Sequence, residues 1–232
     1  MTYFDFLIIF ICSPLLISLC VKMLRNRSDR SELLPITMMG IIALVYTTPW
    51  DNYLIMRGVW TYQLEGIVGV VGYVPIEEYL FMFLQAILVG VLWTIWVPHN
   101  EYAKLGFSYF GLLLGLFVGL VGVLSLSRVS GTYLGLILIW ACPPLTIQWG
   151  LGLTALVKSF KTWAPLWIGM SIYLCIADYY AIFKGIWSIT TVTRTGWGIG
   201  NLPIEEILFF TLTNLFVVQG LCLWRAWRKH AL

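Results

Sequence analysis

The sequence predicts an all-α integral membrane protein of about seven transmembrane helices, built from two parallel three-helix repeats joined by a connector helix. Two observations predict the helices. Of the 232 residues, 60% are hydrophobic and only 11% are charged, unlike a soluble domain. The charges are also segregated, which leaves uncharged runs of the length a bilayer requires. A third observation, a duplicated acidic motif, predicts the repeats.

Apolar runs of membrane-spanning length place the helices along the chain. A proline inside such a run removes a backbone hydrogen bond, so kinks are expected at Pro14, Pro143 and Pro144. Glycines at positions 111, 115 and 119 of the fourth helix have the spacing of a close helix-packing seam. The predicted helices are 3–24, 34–50, 75–97, 105–125, 132–157, 163–183 and 203–227.

The basic residues predict the orientation, because cytoplasmic connections carry an excess of Lys and Arg. Ten basic residues fall on one side and four on the other, which places the N-terminus outside and the C-terminus in the cytoplasm, with a prokaryotic cell membrane expected. The cytoplasmic set is Lys22, Arg25, Arg27, Arg30, Lys104, Lys158, Lys161, Arg225, Arg228 and Lys229; the outer set is Arg57, Arg128, Lys184 and Arg194.

Three pairs of similar segments indicate an internal repeat. Residues 51–60 (Asp-x5-Arg-Gly-x-Trp) match 178–187 (Asp-x5-Lys-Gly-x-Trp) at an offset of 127, and 12–15 resemble 142–145 at an offset of 130. The third pair is Pro-Ile-Glu-Glu, at 75–78 and 203–206. A shift of four helices preserves orientation, so the repeats run parallel. The prediction is a single membrane domain divided into repeat A (1–97), a connector helix (98–127) and repeat B (128–232).

The duplicated Pro-Ile-Glu-Glu motif supplies the candidate acid and base. Four carboxyl groups at the mouths of two membrane helices are costly unless they are used. A polar stripe continues from the second glutamate of each pair down the same helical face, through Gln85, Thr213 and Asn214. We therefore expect Glu78 and Glu206 to point inward, with Glu77 and Glu205 beside them. An ordinary helix start, with proline and then acids in the first turn, is the alternative.

Asp51 and Asp178 lie at matched positions and are expected to tune the glutamates or act with them; ion pairs with Arg57 and Lys184 are the alternative. Most aromatic residues in this layer suit an ordinary interfacial belt. Phe81 and Phe209 lie one turn below the acids, where an aromatic face stabilises a passing cation. The rest of the candidate substrate-binding set is Trp60, Trp187, Phe210 and the polar residues Gln85, Thr213 and Asn214. An acid, a base and aromatics in an apolar cavity suit alkene protonation, ring closure through a cation, and proton loss.

Other chemistries find no support in the sequence. The two histidines, His99 and His230, sit near helix ends, and the five cysteines form no C-x-x-C pair, so a metal site is not expected. No G-x-G-x-x-G fingerprint lies between a strand and a helix, which leaves flavin or nicotinamide binding unsupported. No cofactor is expected.

Pro-x-Glu-Glu-x-x-Phe, present at 75–81 and 203–209, resembles the signature of the membrane-integral lycopene cyclases. That family includes heterodimeric bacterial enzymes, their fused single-chain relatives, and the N-terminal domain of fungal bifunctional cyclase/phytoene synthases. The two copies resemble the fused form. The second copy continues Phe209-Phe210, whereas the first has Phe81-Met82, a small departure from the pattern.

The resemblance implies a redox-neutral isomerisation of the acyclic end of lycopene to a β-ionone ring, without flavin. It implies that Glu77, Glu78, Glu205 and Glu206 supply the acid and base. A lipophilic polyene would enter from the bilayer, so the expected partners are that substrate, membrane lipids and other carotenoid enzymes, and not nucleic acid. Ring type, one or both ends, and one composite site or two stay open.

Two alternatives accompany this prediction. A cyclase acting on another isoprenoid, such as a C50 carotenoid or a meroterpenoid, would use the same residues. A proton-coupled transporter also combines repeats, kinked helices and membrane acids. Against transport, the acids cluster at one depth near the outer face, and no matching relay leads toward the cytoplasm.

Overall fold

The computed structural model describes residues 1–25, 30–98 and 103–231. Within these ranges the chain forms seven helices, which confirms the predicted all-α membrane fold, and six are long and apolar enough to cross a membrane. The helix α4 is also apolar but has 17 residues, at the short end of the ~17–25 that span a bilayer. The helices are α1 Tyr3–Leu24, α2 Leu33–Met56, α3 Ile76–Trp96, α4 Tyr109–Ser125, α5 Thr132–Lys158, α6 Phe160–Phe183 and α7 Ile204–Ala231. Arg27 and His99 lie outside the described residues.

Short strands, which the sequence analysis did not predict, cover the end of the bundle where α3 and α7 begin. Each is only two or three residues long, too short to show an alternating pattern. The hairpins β2–β3 and β5–β6 directly precede α3 and α7, and turn through Gly72 and Gly200 at positive φ. In the described residues the strands are β1 Trp60–Tyr62, β2 Val70–Val71, β3 Val74–Pro75, β4 Trp187–Ile189, β5 Gly198–Ile199 and β6 Leu202–Pro203.

Strands β1 and β4 pair with each other and join the two halves of the chain. The pairing is antiparallel and centres on Thr61 opposite Ser188, whose hydroxyl oxygens lie 2.7 Å apart. These two residues are 127 positions apart, the offset of the matched segments. The loop before α3 therefore meets the loop before α7 directly above the helices that carry the acids.

Two prolines each leave a backbone carbonyl without its helical N–H donor, and a tyrosine of another helix donates to that carbonyl instead. Pro14 and Pro144 have no N–H to donate to the carbonyls of Phe10 and Trp140, four residues earlier. The Tyr173 hydroxyl in α6 donates to the Phe10 oxygen at 2.9 Å, and the Tyr46 hydroxyl in α2 donates to the Trp140 oxygen at 2.6 Å. We call these two bonds the tyrosine clasps. They connect α6 to α1 and α2 to α5.

The helices deviate from regular α geometry near the first proline but not at the other two. In α1 a π-helical turn, Ile8–Cys12, precedes Pro14. In α5 the non-helical dihedral angles occur at Gly152, beyond Pro143 and Pro144. The helical backbone of α5 therefore continues through both prolines, and the break falls at the residue without a side chain.

Helix α4 packs along α5 through its glycines, as the spacing predicted. A Cβ atom on Gly115 would lie 2.5 Å from the Thr146 Cα atom, and one on Gly119 would lie 2.5 Å from the Cys142 Sγ atom. Only glycine allows so close an approach of the two backbones.

The opposite end of the bundle is held by a buried charge. Arg225 in α7 donates to the Glu32 carboxylate at 2.9 Å and to the backbone oxygens of Val97 and Pro98 at 3.2 and 3.3 Å. Its guanidinium also lies 4.6 Å from the ring centroid of Trp93. From the sequence, Arg225 is one of the ten basic residues predicted to face the cytoplasm. Because buried charges must be paired, its position makes it a structural link between α7, the start of α2 and the end of α3.

Candidate active site

The two Pro-Ile-Glu-Glu motifs begin α3 and α7, at the end of the bundle covered by the strands. Pro75 and Pro203 end β3 and β6, and the glutamates follow in the first helical turn. All four glutamate side chains are buried. Their carboxyl groups nevertheless have different surroundings, because neighbouring residues of a helix point about 100° apart.

The first glutamate of each pair binds the backbone of the loop that precedes its helix. The Val68 N–H donates to Glu77 Oε1 at 2.6 Å, and the Thr195 N–H donates to Glu205 Oε1 at 2.6 Å. From the sequence, Glu77 and Glu205 are candidate acids and bases alongside Glu78 and Glu206. The structure places them against the loops.

The second glutamate of the first pair, Glu78, accepts hydrogen bonds from two tyrosines. The hydroxyls of Tyr3 in α1 and Tyr62 in β1 both donate to Glu78 Oε2, the latter at 2.8 Å. The Tyr3 and Tyr62 rings stack with centroids 5.8 Å apart. Burial raises the pKa of the Tyr62 phenol well above its ordinary value, and the Glu78 carboxyl raises that pKa further. Tyr62 is therefore held as a hydrogen-bond donor at neutral pH.

The second glutamate of the other pair, Glu206, has an equivalent partner. The Tyr133 hydroxyl at the start of α5 donates to Glu206 Oε1, and the Trp60 indole donates to the Tyr133 oxygen at 2.9 Å. Tyr3 and Tyr133 are 130 positions apart, the offset of the matched segments at 12–15 and 142–145. That offset was the signal by which both tyrosines, which the sequence analysis missed, could have been found.

The two aspartates are buried beside these glutamates. Asp178 accepts from the Trp187 indole at 2.8 Å and interacts with the Glu206 carboxyl group. Asp51 interacts electrostatically with Glu78 and Glu206, and neither of its carboxyl oxygens has a hydrogen-bond partner among the described residues.

Among the described residues, Asp51 and Asp178 do not form the alternative ion pairs with Arg57 and Lys184. The Arg57 guanidinium lies over the Tyr53 ring, 5.9 Å from its centroid. The Lys184 ammonium lies over Tyr180 and Phe183, at 5.6 and 5.8 Å. Both basic side chains therefore lie over aromatic rings at the helix ends, and the aspartates belong to the buried cluster of acids.

A small cavity of about 20 Å³, enough for roughly one water molecule, separates the acids. Acids and aromatic residues from both halves of the chain line it. The lining residues are Tyr3, Trp60, Tyr62, Glu78, Phe81, Asp178, Trp187, Glu206, Phe209 and Phe210. Eight of these ten were candidates from the sequence, and the other two, Tyr3 and Tyr62, donate hydrogen bonds to Glu78.

A larger cavity of about 310 Å³ lies below the acids and shares Glu78, Phe81 and Phe209 with the small cavity. Gln85 and Thr213, the polar stripe predicted from the sequence, line this larger cavity. Asn214 is buried and accepts from the Gln85 amide at 2.7 Å, which ties α7 to α3. The stripe thus holds the two motif helices together and adds polar groups to an otherwise apolar space.

The aromatic residues of the site form one packed set. Phe210 contacts Phe209 and Phe81, with ring centroids 5.2 and 6.1 Å apart. Phe209 also packs against Trp60 at 5.9 Å and stacks on Trp50 at 5.4 Å. The site therefore presents ring faces and edges immediately beneath the carboxyl groups.

The fold and the site define an integral membrane protein in which buried carboxyl groups from two halves of the chain meet at an apolar, aromatic cavity. The lycopene beta-cyclase of Halobacterium salinarum is 39% identical over 97% of this chain and 96% of its own length. Fungal proteins named bifunctional lycopene cyclase/phytoene synthase match over part of their length: that of Gibberella fujikuroi is 35% identical over 85% of this chain and 36% of its own. The chain belongs to the lycopene beta-cyclase family. No family profile and no solved structure matches the chain.

Proposed function

We propose that this chain is a carotenoid cyclase that converts the acyclic ends of lycopene to β-ionone rings. The observation that carries the proposal is the meeting of Glu78, Glu206 and Asp178 at one cavity lined by aromatic rings. The archaeal relative, similar over nearly its whole length, is named for this reaction. A transporter is not favoured, because the relatives are named as lycopene cyclases.

The Glu206–Asp178 pair is our candidate for the general acid. Both groups are buried at one cavity, and two carboxylates there would repel each other, so a proton held by one of them lowers the electrostatic cost. That proton adds to the terminal carbon–carbon double bond and leaves a tertiary cation. The neighbouring double bond attacks the cation, which closes the six-membered ring and moves the positive charge to a ring carbon.

Glu78 is our candidate for the general base. Two phenol donors on its Oε2 atom favour the carboxylate, because hydrogen bonds to a charged acceptor are stronger than those to a neutral one. The carboxylate removes a ring proton and forms the ring double bond. One proton is gained and one is lost, so the reaction is a redox-neutral isomerisation that needs no cofactor.

The aromatic residues are proposed to stabilise the cation between these two steps. Phe81, Phe209 and Phe210 lie beneath the acids, where the negative faces of their rings attract a positive charge. Water is a competing nucleophile, and the small volume between the acids leaves little room for it. Trp60 and Trp187 act indirectly, through their hydrogen bonds to Tyr133 and Asp178.

We propose one composite site, shared by the repeats at 1–97 and 128–232, with 98–127 as the connector. Three pairs of equivalent hydrogen bonds support the repeats, with one bond of each pair made by a residue of each repeat. The equivalent residues are Glu77 and Glu205, Tyr3 and Tyr133, and Tyr46 and Tyr173. Because Glu78 and Glu206 line the same cavity, each repeat supplies half of the site.

We propose that the acids lie near the outer face of a prokaryotic cell membrane, with the N-terminus outside and the C-terminus in the cytoplasm. The excess of basic residues at the opposite end supports this orientation. The lycopene-like substrate would come from the bilayer, where other carotenoid enzymes would release it. Reporter fusions test the orientation: a reporter active only in the cytoplasm should work at the C-terminus and fail at the N-terminus.

The decisive test is expression in bacteria, incubation of the isolated membranes with unlabelled lycopene in deuterated water, and separation of the pigments by chromatography. We expect β- or γ-carotene with one solvent-derived deuterium per ring, since one proton is added for each ring formed. Glu206→Gln and Asp178→Asn should leave lycopene uncyclised. Unchanged lycopene with correctly inserted wild-type protein would contradict this substrate, and longer or shorter isoprenoids would then be tested.

A further inference from the structure

The cleft between α2 and α5 opens on the outside of the bundle. On its surface is a groove of about 680 Å³, formed by residues of these two helices alone. Several groove residues are exposed on the lipid-facing side, among them Ile42 at 50% and Val45 at 65%. Two side chains of α2 bridge the cleft to α5: Tyr46 through its clasp to the Trp140 oxygen, and Trp50 through a bond from its indole to the Leu136 oxygen at 3.1 Å.

The groove adjoins the cavities that reach the acids. It shares Ile42, Tyr46 and Trp140 with the 310 Å³ cavity, and that cavity shares Glu78, Phe81 and Phe209 with the space between the acids. The lipid-facing surface and the Glu78 carboxyl group are therefore linked by adjoining spaces that meet at Tyr46 and Trp140.

We propose that the cleft between α2 and α5 is the binding channel through which a long acyclic polyene enters sideways from the bilayer. The end group occupies the inner cavity beside Glu78, and the unreacted length of the chain lies in the outer groove. The inference rests on the proposed function and adds the route, the bound position of the polyene and the residues that line it.

The lining is suited to a hydrocarbon chain. Apart from Glu78 at its inner end, the channel carries no charged side chain among the residues that line it. One of its polar groups is already bonded, since the Gln148 amide donates to the Phe216 oxygen at 2.9 Å. The inner cavity is near the lower end of the ~300–1,000 Å³ typical of ligand pockets, so it holds an end group while the rest of a long chain stays in the groove.

The matched seam between α1 and α6 is filled differently. It carries the other clasp, from Tyr173 to the Phe10 oxygen. Here Phe10 packs between Phe6 and Tyr180, with ring centroids 4.9 and 5.7 Å apart, and Phe6 packs on Trp187 at 5.0 Å. Aromatic rings fill this seam. We therefore place the entrance between α2 and α5.

The test uses two tryptophan substitutions that narrow the channel and one that does not. Ile42→Trp and Ile147→Trp add bulk from α2 and from α5, both at half-exposed positions lining the inner cavity. Ile168→Trp is the matched control, because Ile168 lies on α6 and has a similar exposure of 47%. All three variants are made in the full chain, and their thermal unfolding is measured to verify that they fold alike.

The first readout is binding, independent of turnover. Purified protein in lipid nanodiscs is titrated with lycopene in a Glu206→Gln background, and visible circular dichroism of the bound polyene is measured. We expect a signal that Ile42→Trp and Ile147→Trp reduce at least tenfold and Ile168→Trp leaves unchanged. Equal signals from all three variants, no signal from any protein, or signal loss in Ile168→Trp alone would each overturn the channel.

The second readout separates this inference from the proposed function. Lycopene conversion in cells should fall at least tenfold in the two narrowing variants and stay unchanged in Ile168→Trp. If the wild type fails to cyclise lycopene but the binding signal still depends on Ile42 and Ile147, the function is wrong and the polyene channel stands. If the wild type cyclises lycopene and the narrowing variants do so equally well, the function stands and the channel is wrong.

Discussion

At the scale of single residues, one step along a helix separates two kinds of carboxyl group. Glu77 and Glu205 hold loop N–H groups, whereas Glu78 and Glu206 face the cavity and accept hydrogen bonds from tyrosines. The sequence alone could not assign these roles, because adjacent glutamates in a first helical turn look alike until the surrounding loops are placed.

The pair Glu78→Gln and Glu77→Gln tests this division of roles. The amide retains a hydrogen-bond acceptor but cannot take a proton. We therefore expect Glu78→Gln to lower the rate of cyclisation by about 10²–10⁴, the usual contribution of a general base. Glu77→Gln should stay within a few-fold of wild type, because its carbonyl still accepts from the Val68 N–H.

Conversion of lycopene at matched protein levels measures both variants. Any ring that Glu78→Gln still forms should include products with a shifted double bond, since another group then removes the proton. A severe loss in Glu77→Gln together with an active Glu78→Gln would reverse the assignment.

Tyr62 should make stability sensitive to alkaline pH. Its pKa is raised in the folded state, so its contribution is fully present below the unfolded value of about 10 and is lost as pH rises through the folded value. We expect the unfolding temperature in detergent to fall above about pH 10, and Tyr62→Phe to flatten that fall. An identical decline in Tyr62→Phe would show that other groups cause it.

At the scale of the elements, the prolines and tyrosines of the two clasps act together. The matched segments at 12–15 and 142–145 were predicted as kink sites, and the structure shows what their prolines do: each leaves a carbonyl free for a tyrosine of another helix. A helix pattern cannot reveal this bond, because the donor is more than ninety residues away in sequence for both clasps.

A double-mutant cycle tests the clasp between α1 and α6. Tyr173→Phe removes the donor to the Phe10 oxygen and should lower the free energy of unfolding by about 1–3 kcal/mol, the cost of an unsatisfied buried group. Pro14→Ala restores a backbone N–H for the same oxygen, so it should reduce the cost of Tyr173→Phe. Thermal unfolding of the four proteins measures the coupling, and strictly additive effects would contradict the account.

At the scale of the whole molecule, the acids are assembled from both halves of the chain. Strands β1 and β4 bring together the loops that precede α3 and α7, and Trp60 of the first half binds Tyr133 of the second. At the other end, Arg225 ties α7 to α2 and α3. These connections make Glu78 and Glu206 neighbours of one cavity, with no equivalent second cavity required.

A composite site predicts how single variants affect the two ends of lycopene. With one site, Glu78→Gln and Glu206→Gln should each slow the first and the second ring alike, so neither should retain half of the activity. With two independent sites, each variant would keep about half. Time courses of one-ring and two-ring products at equal protein levels distinguish the two cases.

Local sequence patterns predict the class of protein and the order of the helices, although α2 runs to Met56 and not to residue 50. They also nominate the residues that we propose for the chemistry. Apolar run length and a duplicated motif are local properties, so they can be recognised in one chain. Tertiary contacts set which glutamate of each pair faces the cavity, which tyrosines hold it, and which two helices form the outer groove. Those outcomes depend on contacts between distant segments, such as Tyr3 with Glu78 and Tyr46 with Trp140, whose geometry no local pattern records.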